Sequence, residues 1–235
     1  MTIFTHFLCC IDRRNYAGTV ARSKNPLTPN DYVTTAVKFT SELGLSLMTM
    51  RALGDEMGVD PTALYRHFPN KESLIDAMID WLIGEAIAIS EKSPAKTLRE
   101  KVIAQAKAPR LMFEKHPDIG LAMMYSEGSW MNGLLFSRRG IETLKEFGLR
   151  GHDLVCCYQA IEGFVMGSCV HDFAGSPHNM ETRRIRYRYF EVPEFDEHSR
   201  SASEVRKITE QGFDLAMNAI LDQFEQLTTK KSRSK

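Results

Sequence analysis

The chain has 235 residues, 43% of them hydrophobic and 26% charged, with 30 Lys and Arg balanced by 30 Asp and Glu. That length accommodates one large domain or two small ones with a buried core, and the zero net charge removes bulk attraction as a route to nucleic acid, so any such contact must come from locally placed cations. Five cysteines, Cys9, Cys10, Cys156, Cys157 and Cys169, form an odd set with two vicinal pairs and no CxxC, which argues against a disulfide framework and fits a reducing cytoplasm.

Residues 1–27 carry Arg13, Arg14, Arg22 and Lys24 against Asp12 and show no sustained helical period, so they read as a mobile basic arm. The apolar start, Met1–Ile11, lacks a preceding basic residue and a small-residue cleavage site, and makes a poor signal peptide. No uninterrupted apolar run reaches the length of a bilayer span.

From Thr28 the pattern is helical. Val33, Ala36, Val37, Thr40 and Leu43 share one face of a first helix, which Gly44 stops. Thr49 caps a short second helix with Leu53 and Met57 turned inward, and Gly58 breaks it. Asp60 caps a third, with Pro61 at its first position, where a missing N–H costs nothing. Asn70 caps a fourth helix running to about Ser90, with Leu74, Ile75, Met78 and Leu82 as its stripe. Further helices are expected at about 95–115, 118–125, 128–147, 151–173 and 203–228. Pro109 is expected to kink or split its helix. The stretch 174–203, rich in Arg, Pro and polar residues, reads as a long flexible or partly ordered excursion, with 186–192 leaning towards strand. The fold class is all-α: a helix-turn-helix domain at 28–74, a helical ligand-binding and dimerisation domain at 75–228, and a disordered basic tail at 229–235.

The informative segment is Thr49–Phe68. Two short helices joined by a turn containing Gly58 have helix-turn-helix spacing, and Leu53, Met57, Val59 and Leu64 set the angle between them. The third helix then presents its N-terminal residues to a major groove. Thr62 and Ala63 are small enough for close backbone approach, and their methyls suit a thymine methyl. Arg51 has the fork geometry for guanine O6 and N7. Tyr65, Arg66, His67 and Lys71 offer hydroxyl and cationic tips for phosphates. One feature opposes this reading: Thr28–Ser90 holds four cations and nine acids, a net of −5, which is poor for phosphate neutralisation. Either the acids lie on the far face or the basic arm compensates, reaching an adjacent minor groove.

The Thr49 cap, the Arg51-Ala52-Leu53-Gly54 run, Gly58-Val59, Leu64-Tyr65-Arg66-His67-Phe68 and the Asn70-Lys71-Glu72 opening together closely resemble the DNA-binding domain of the tetracycline-repressor (TetR) family. The resemblance spans about the first third of the chain. It implies that Arg51, Pro61, Thr62 and Ala63 lie near bases and that Thr49, Tyr65, His67 and Lys71 meet phosphates, with Arg66 suited to either. It also implies a regulatory domain of five or more helices enclosing a small-molecule pocket and dimerising through its last two helices. Most such proteins repress and leave a palindromic operator when an effector binds.

Residues 91–228 are rich in Met and aromatic side chains, which suit a core or a malleable cavity for a lipophilic effector. The expected lining is Met112, Met123, Tyr125, Trp130, Leu134, Tyr158, Glu162 and Met166, where Glu162 suits a cationic ligand or simply faces solvent. Gly163 and Gly167 lie four apart on one face of the helix 151–173. Val205, Ile208, Leu215, Ala216, Ala219, Ile220, Phe224 and Leu227 form a stripe on the helix 203–228. These two helices from each subunit are expected to build a four-helix homodimer interface. No cofactor is expected, and the histidines and cysteines show no metal-ligand spacing. Two rival classes are an enzyme carrying a helix-turn-helix and a structural DNA-binding protein without a ligand. Against the first, there is no HExxH, P-loop, GxSxG or glycine-rich dinucleotide turn, and Glu127, Asp153 and Asp172 are scattered. No membrane partner is expected.

Overall fold

The computed structural model describes residues 27–173 and 179–233. The expected basic arm, except Leu27, lies outside the described residues. Those residues form α-helices without a strand: α1 (Pro29–Leu43), α2 (Met50–Met57), α3 (Pro61–Tyr65), α4 (Lys71–Glu91), α5 (Leu98–Lys115), α6 (Pro117–Tyr125), α7 (Met131–Glu146), α8 (Gly151–Phe173), α9 (Asn179–Arg188), α10 (Pro193–His198) and α11 (Ala202–Arg233).

The N-terminal helices begin where their capping residues direct. Thr28 and Asp31 form a capping box on α1, the Thr49 hydroxyl accepts from the Ala52 amide at 3.0 Å, and Asp60 accepts from the Thr62 amide at 2.9 Å. Asn70 accepts from the Ser73 amide at 2.7 Å, and the Ser73 hydroxyl accepts from the Asn70 amide in return. Each bond satisfies a donor that the first helical turn leaves without a partner. Gly58 ends α2 in the left-handed region at φ +65°, a conformation a Cβ would strain. Gly54 has a different role: a Cβ there would stand 3.0 Å from the Val59 carbonyl, so its absence lets the chain leaving α2 fold back closely enough to start α3.

Leu53, Leu64, Leu74 and Met78 are fully buried, with Val33, Ala36 and Val37 of α1 and Phe68 packed around them. Met57 and Val59 are partly buried against this core, and Leu43, expected to face inward, is half exposed at the end of α1. Helix α4 belongs to both halves of the molecule, packing on α1 on one side and on α5, α6 and α7 on the other. Helix α5 runs through the centre of the second half against α4, α7 and α8, while α11 lies across α8 and α9.

Three boundaries depart from the sequence reading. Pro109 does not split its helix; α5 is continuous with the proline inside it. The described part of the stretch 174–203, residues 179–203, is more ordered than expected. Helix α9 covers the arginine-rich segment and takes in only the first three residues of the strand-leaning run 186–192, whose remainder is turn and loop before α10. Tyr187, Phe190 and Phe195 cluster with ring centroids 5.0–5.5 Å apart and tie the two together. The backbone of α11 also continues through Arg233, where a disordered tail was expected from 229. Cys157 and Cys169 are buried free thiols, and burial pushes the Cys169 thiol up to about 12.

A buried ionic network fastens α5, α8, α9 and α11 together. Asp172 accepts from Arg110 at 2.6 Å and from Arg183 at 3.0 Å, and all three side chains are less than a tenth exposed. Arg110 also donates to Ser168 and Glu210, and its guanidinium lies 4.2 Å from the Phe213 ring centre. Removing the shared acceptor leaves buried Arg183 without its carboxylate and buried Arg110 with Glu210 alone. The variant Asp172→Ala is expected to lose about 3–5 kcal/mol of unfolding free energy in urea titrations followed by circular dichroism.

Candidate nucleic-acid interface and effector cavity

The α2–α3 unit presents one exposed edge. Arg51, Thr62, Tyr65, Arg66 and His67 are exposed, and Pro61 and Ala63 are partly so, because Leu53, Leu64 and Phe68 take up the inward positions of the same short helices. The helical period thus separates the two sets: Leu64 and Phe68 go to the core, and the residues between them face out. Thr49 is exposed, with its hydroxyl engaged as the α2 cap. Asp60 accepts from the Thr62 amide at 2.9 Å, and its contacts with Thr62 hold its carboxyl below the ordinary range. The His67 ring leans against Tyr32 at 5.4 Å, which fixes its direction. Lys71 donates to the Leu45 carbonyl at 3.1 Å, clasping the α1–α2 turn. Its ammonium keeps two further donors.

Several of the acids behind the unfavourable charge count are already engaged within the chain. Asp31 and Asp60 cap helices, and Glu42 pairs with Lys38. Asp76 and Asp80 turn from α4 towards the second half of the molecule. Only Asp76 and Asp80 are thereby turned away; Asp55, Glu56 and Asp60 stay exposed on the α2–α3 unit, and a capping or paired carboxylate keeps its charge.

Behind α4 lies a cavity of about 460 Å³, bounded by α4, α5, α7 and α8, by Met123 of α6 and by the loop 128–130. Met112, Met123, Trp130, Leu134, Tyr158, Glu162 and Met166 line it as expected. Tyr125 does not: it ends α6 and is 85% exposed. The sequence reading missed Ile83 and Ala86 of α4, Gln105, Ala106 and Pro109 of α5, and Phe136, Ser137 and Gly140 of α7. For most of these, amphipathic periodicity marks an inward side chain but not whether it meets another side chain or a void.

The rim of the cavity is bonded directly to α4. Asp76 accepts from Ser126 at 2.6 Å and from the Trp130 indole at 3.3 Å, and Asp80 accepts from the Asn132 amide at 2.7 Å. Gly128 sits where a Cβ would come within 2.5 Å of the Asp76 carboxylate, so glycine is what allows this close approach. On the far wall the Tyr158 hydroxyl donates to Glu162 at 3.0 Å, and burial foremost pushes the phenol up, keeping it protonated. A second tie joins the two halves: Asp118 at the start of α6 accepts from the Leu45 amide at 3.1 Å, and Ser41 meets His116 at 2.9 Å.

Residues 33–78 match the family model described as bacterial regulatory proteins, tetR family. The match is confined to the N-terminal domain, from α1 to the first turns of α4. The HTH-type transcriptional repressor Rv1353c of Mycobacterium tuberculosis is 25% identical over 155 residues, covering 64% of this chain and 59% of that protein. The chain thus spans under two thirds of the mycobacterial relative. The class A tetracycline repressor protein from transposon 1721 of Escherichia coli is 26% identical over 149 residues, covering 63% of this chain and 68% of that protein. Among solved structures, Streptomyces coelicolor ActR in complex with actinorhodin superposes with a TM-score of 0.65 at 20% identity, covering 85% of this chain and 97% of that one, a likeness of fold.

Gly140 lines the cavity in mid-helix, and a Cβ there meets nothing closer than Tyr158 at 4.0 Å. Gly140→Ala is expected to stabilise the fold by up to about 1 kcal/mol through helix propensity while reducing the cavity volume, a change read from the urea midpoint.

Proposed function

We propose that this chain is a sequence-specific DNA-binding transcriptional regulator, acting as a homodimer that represses from a palindromic operator and is released by a small lipophilic effector. The observation that carries the reading is one continuous helix, α4, whose first turns pack in the core behind the exposed α2–α3 edge and whose later turns wall a ligand-sized cavity. Arg51, Thr62 and Ala63 read bases, with Pro61 beside them. Thr49, Tyr65, His67 and Lys71 hold phosphates, and Arg66 serves either purpose. The names of the M. tuberculosis and E. coli relatives support repression, and the actinorhodin held by ActR supports an effector in the cavity.

A twofold partner is supported by α8 and α11. Helix α8 is apolar and, by length and composition alone, long enough to cross a bilayer, yet little of it is buried within the chain. On the outer side of these helices, Gly163, Gly167 and Gly212 have no neighbour within 4 Å of a built Cβ. Leu215 is 74% exposed beside them in α11, while Val205, Phe213, Met217 and Phe224 turn inward. The expected stripe on α11 therefore divides into a core half and an outer half. A second copy packed on the outer half buries this surface and sets two reading edges about 34–36 Å apart, one helical turn of DNA.

Release works as a population shift. An effector that fits the cavity better at a different rim position pulls on Asp76 and Asp80, tilts α4 and changes the spacing of the two edges. The shift is limited by its differential affinity for the two arrangements.

Selection of bound duplexes from a random pool tests the DNA reading. A palindrome with half-sites one turn apart is expected, and Arg51→Ala should relax discrimination at one guanine by about 1–3 kcal/mol. Equal wild-type binding to all sequences refutes base reading. For the dimer, Leu215→Glu is expected to convert the protein to a monomer in sedimentation analysis with its helix content intact, because it places a charge in the centre of the outer face.

A further inference from the structure

The charge of the cavity wall is set by one side chain. Of the described residues that line it, Glu162 is the only one with a formal charge; the others are hydrophobic or neutral polar, and no Lys, Arg or His is among them. The partners of the Glu162 oxygens are neutral donors, the Tyr158 hydroxyl at 3.0 Å and the Gln159 amide at 3.4 Å. Among the described residues no cation stands within ion-pair distance of it. Glu162 is itself exposed, so its carboxylate sits at the mouth of the chamber rather than deep within it. Inside, Trp130 and Phe136 add aromatic rings to a wall of Met and Leu side chains.

A chamber of this kind discriminates by sign. A molecule with an apolar body and a positive charge places the body against the rings, whose faces attract cations, and the charge towards a carboxylate that no other cation neutralises. An anion of the same shape meets Glu162 with no compensating partner, and burying its charge is unfavourable. We propose that the effector of this cavity is a lipophilic organic cation, with its apolar body against Trp130, Phe136 and Met166 and its charge directed to Glu162. The proposal rests on the regulatory reading of the cavity given above.

Isothermal titration of the full chain with tetraphenylphosphonium and tetraphenylborate, near-isosteric ions of opposite charge, tests it. The phosphonium is expected to bind at least about ten-fold more tightly. Glu162→Gln, a change at an exposed side chain that should leave the circular dichroism spectrum unaltered, is expected to remove most of that preference. Equal or tighter binding of the borate by the wild type, or a preference that Glu162→Gln leaves in place, overturns the assignment. Binding of neither ion overturns both the assignment and the cavity as a ligand site. Glu162-dependent phosphonium binding with no change in operator affinity supports the charge assignment and overturns the effector role instead.

Discussion

The structure depends on a single helix serving two cores. Helix α4 has 21 residues, a length of roughly 30 Å at the rise of an α-helix. Leu74 and Met78 close the core under the α2–α3 unit, while Ile83 and Ala86 form part of the cavity wall. Because both sets lie on the same rigid rod, neither end can shift without loading the other. Asp76 and Asp80 make that link specific: Asp76 bonds the loop before α7 and Asp80 bonds the first turn of α7, so the rim is fixed to the rod by charged acceptors as well as by packing. At the other end Lys71 clasps the α1–α2 turn, whose Leu45 amide is held in turn by Asp118 of the second half. The two halves are thus joined through the first half of α4 and through the α1–α2 turn beside its start.

Charge is spent on construction throughout this electrically neutral chain. Four of the nine acids that make the N-terminal segment look unsuited to a polyanion, Asp31, Asp60, Asp76 and Asp80, serve as helix caps and loop anchors. The arginine-rich stretch after α8, which suggests a solvated excursion, sends Arg183 inward to share Asp172 with Arg110. A charge inventory by segment therefore misjudges both regions. What counts is where each charged tip ends, and that is set by partners more than 60 positions away in the case of Arg110 and Asp172.

How much was legible follows from the range of the interactions involved. The starts of α1 to α4 could be read because a cap is a local event: Thr28, Thr49, Asp60 and Asn70 each bond an amide two or three residues on. Seven of the eight expected lining residues reached the cavity because inward-facing Met and aromatic positions of neighbouring helices converge there; Tyr125 failed because α6 ends at it and leaves it facing solvent. Helices α9 and α10 were hidden because their order comes from Arg183 and from the Tyr187–Phe190–Phe195 cluster, not from a hydrophobic period of their own.

Sequence alone determined the all-helical class, the α2–α3 turn geometry and which residues form the exposed edge, since each depends on periodicity, caps and one left-handed glycine acting over a few residues. Tertiary structure alone decided that the cavity is open, that its wall carries one charge, that α4 is bonded to its rim, and which half of the α11 stripe remains uncovered. Those properties arise from voids and pairings between helices distant in the chain, and no local pattern encodes the distance at which two packed helices leave space between them.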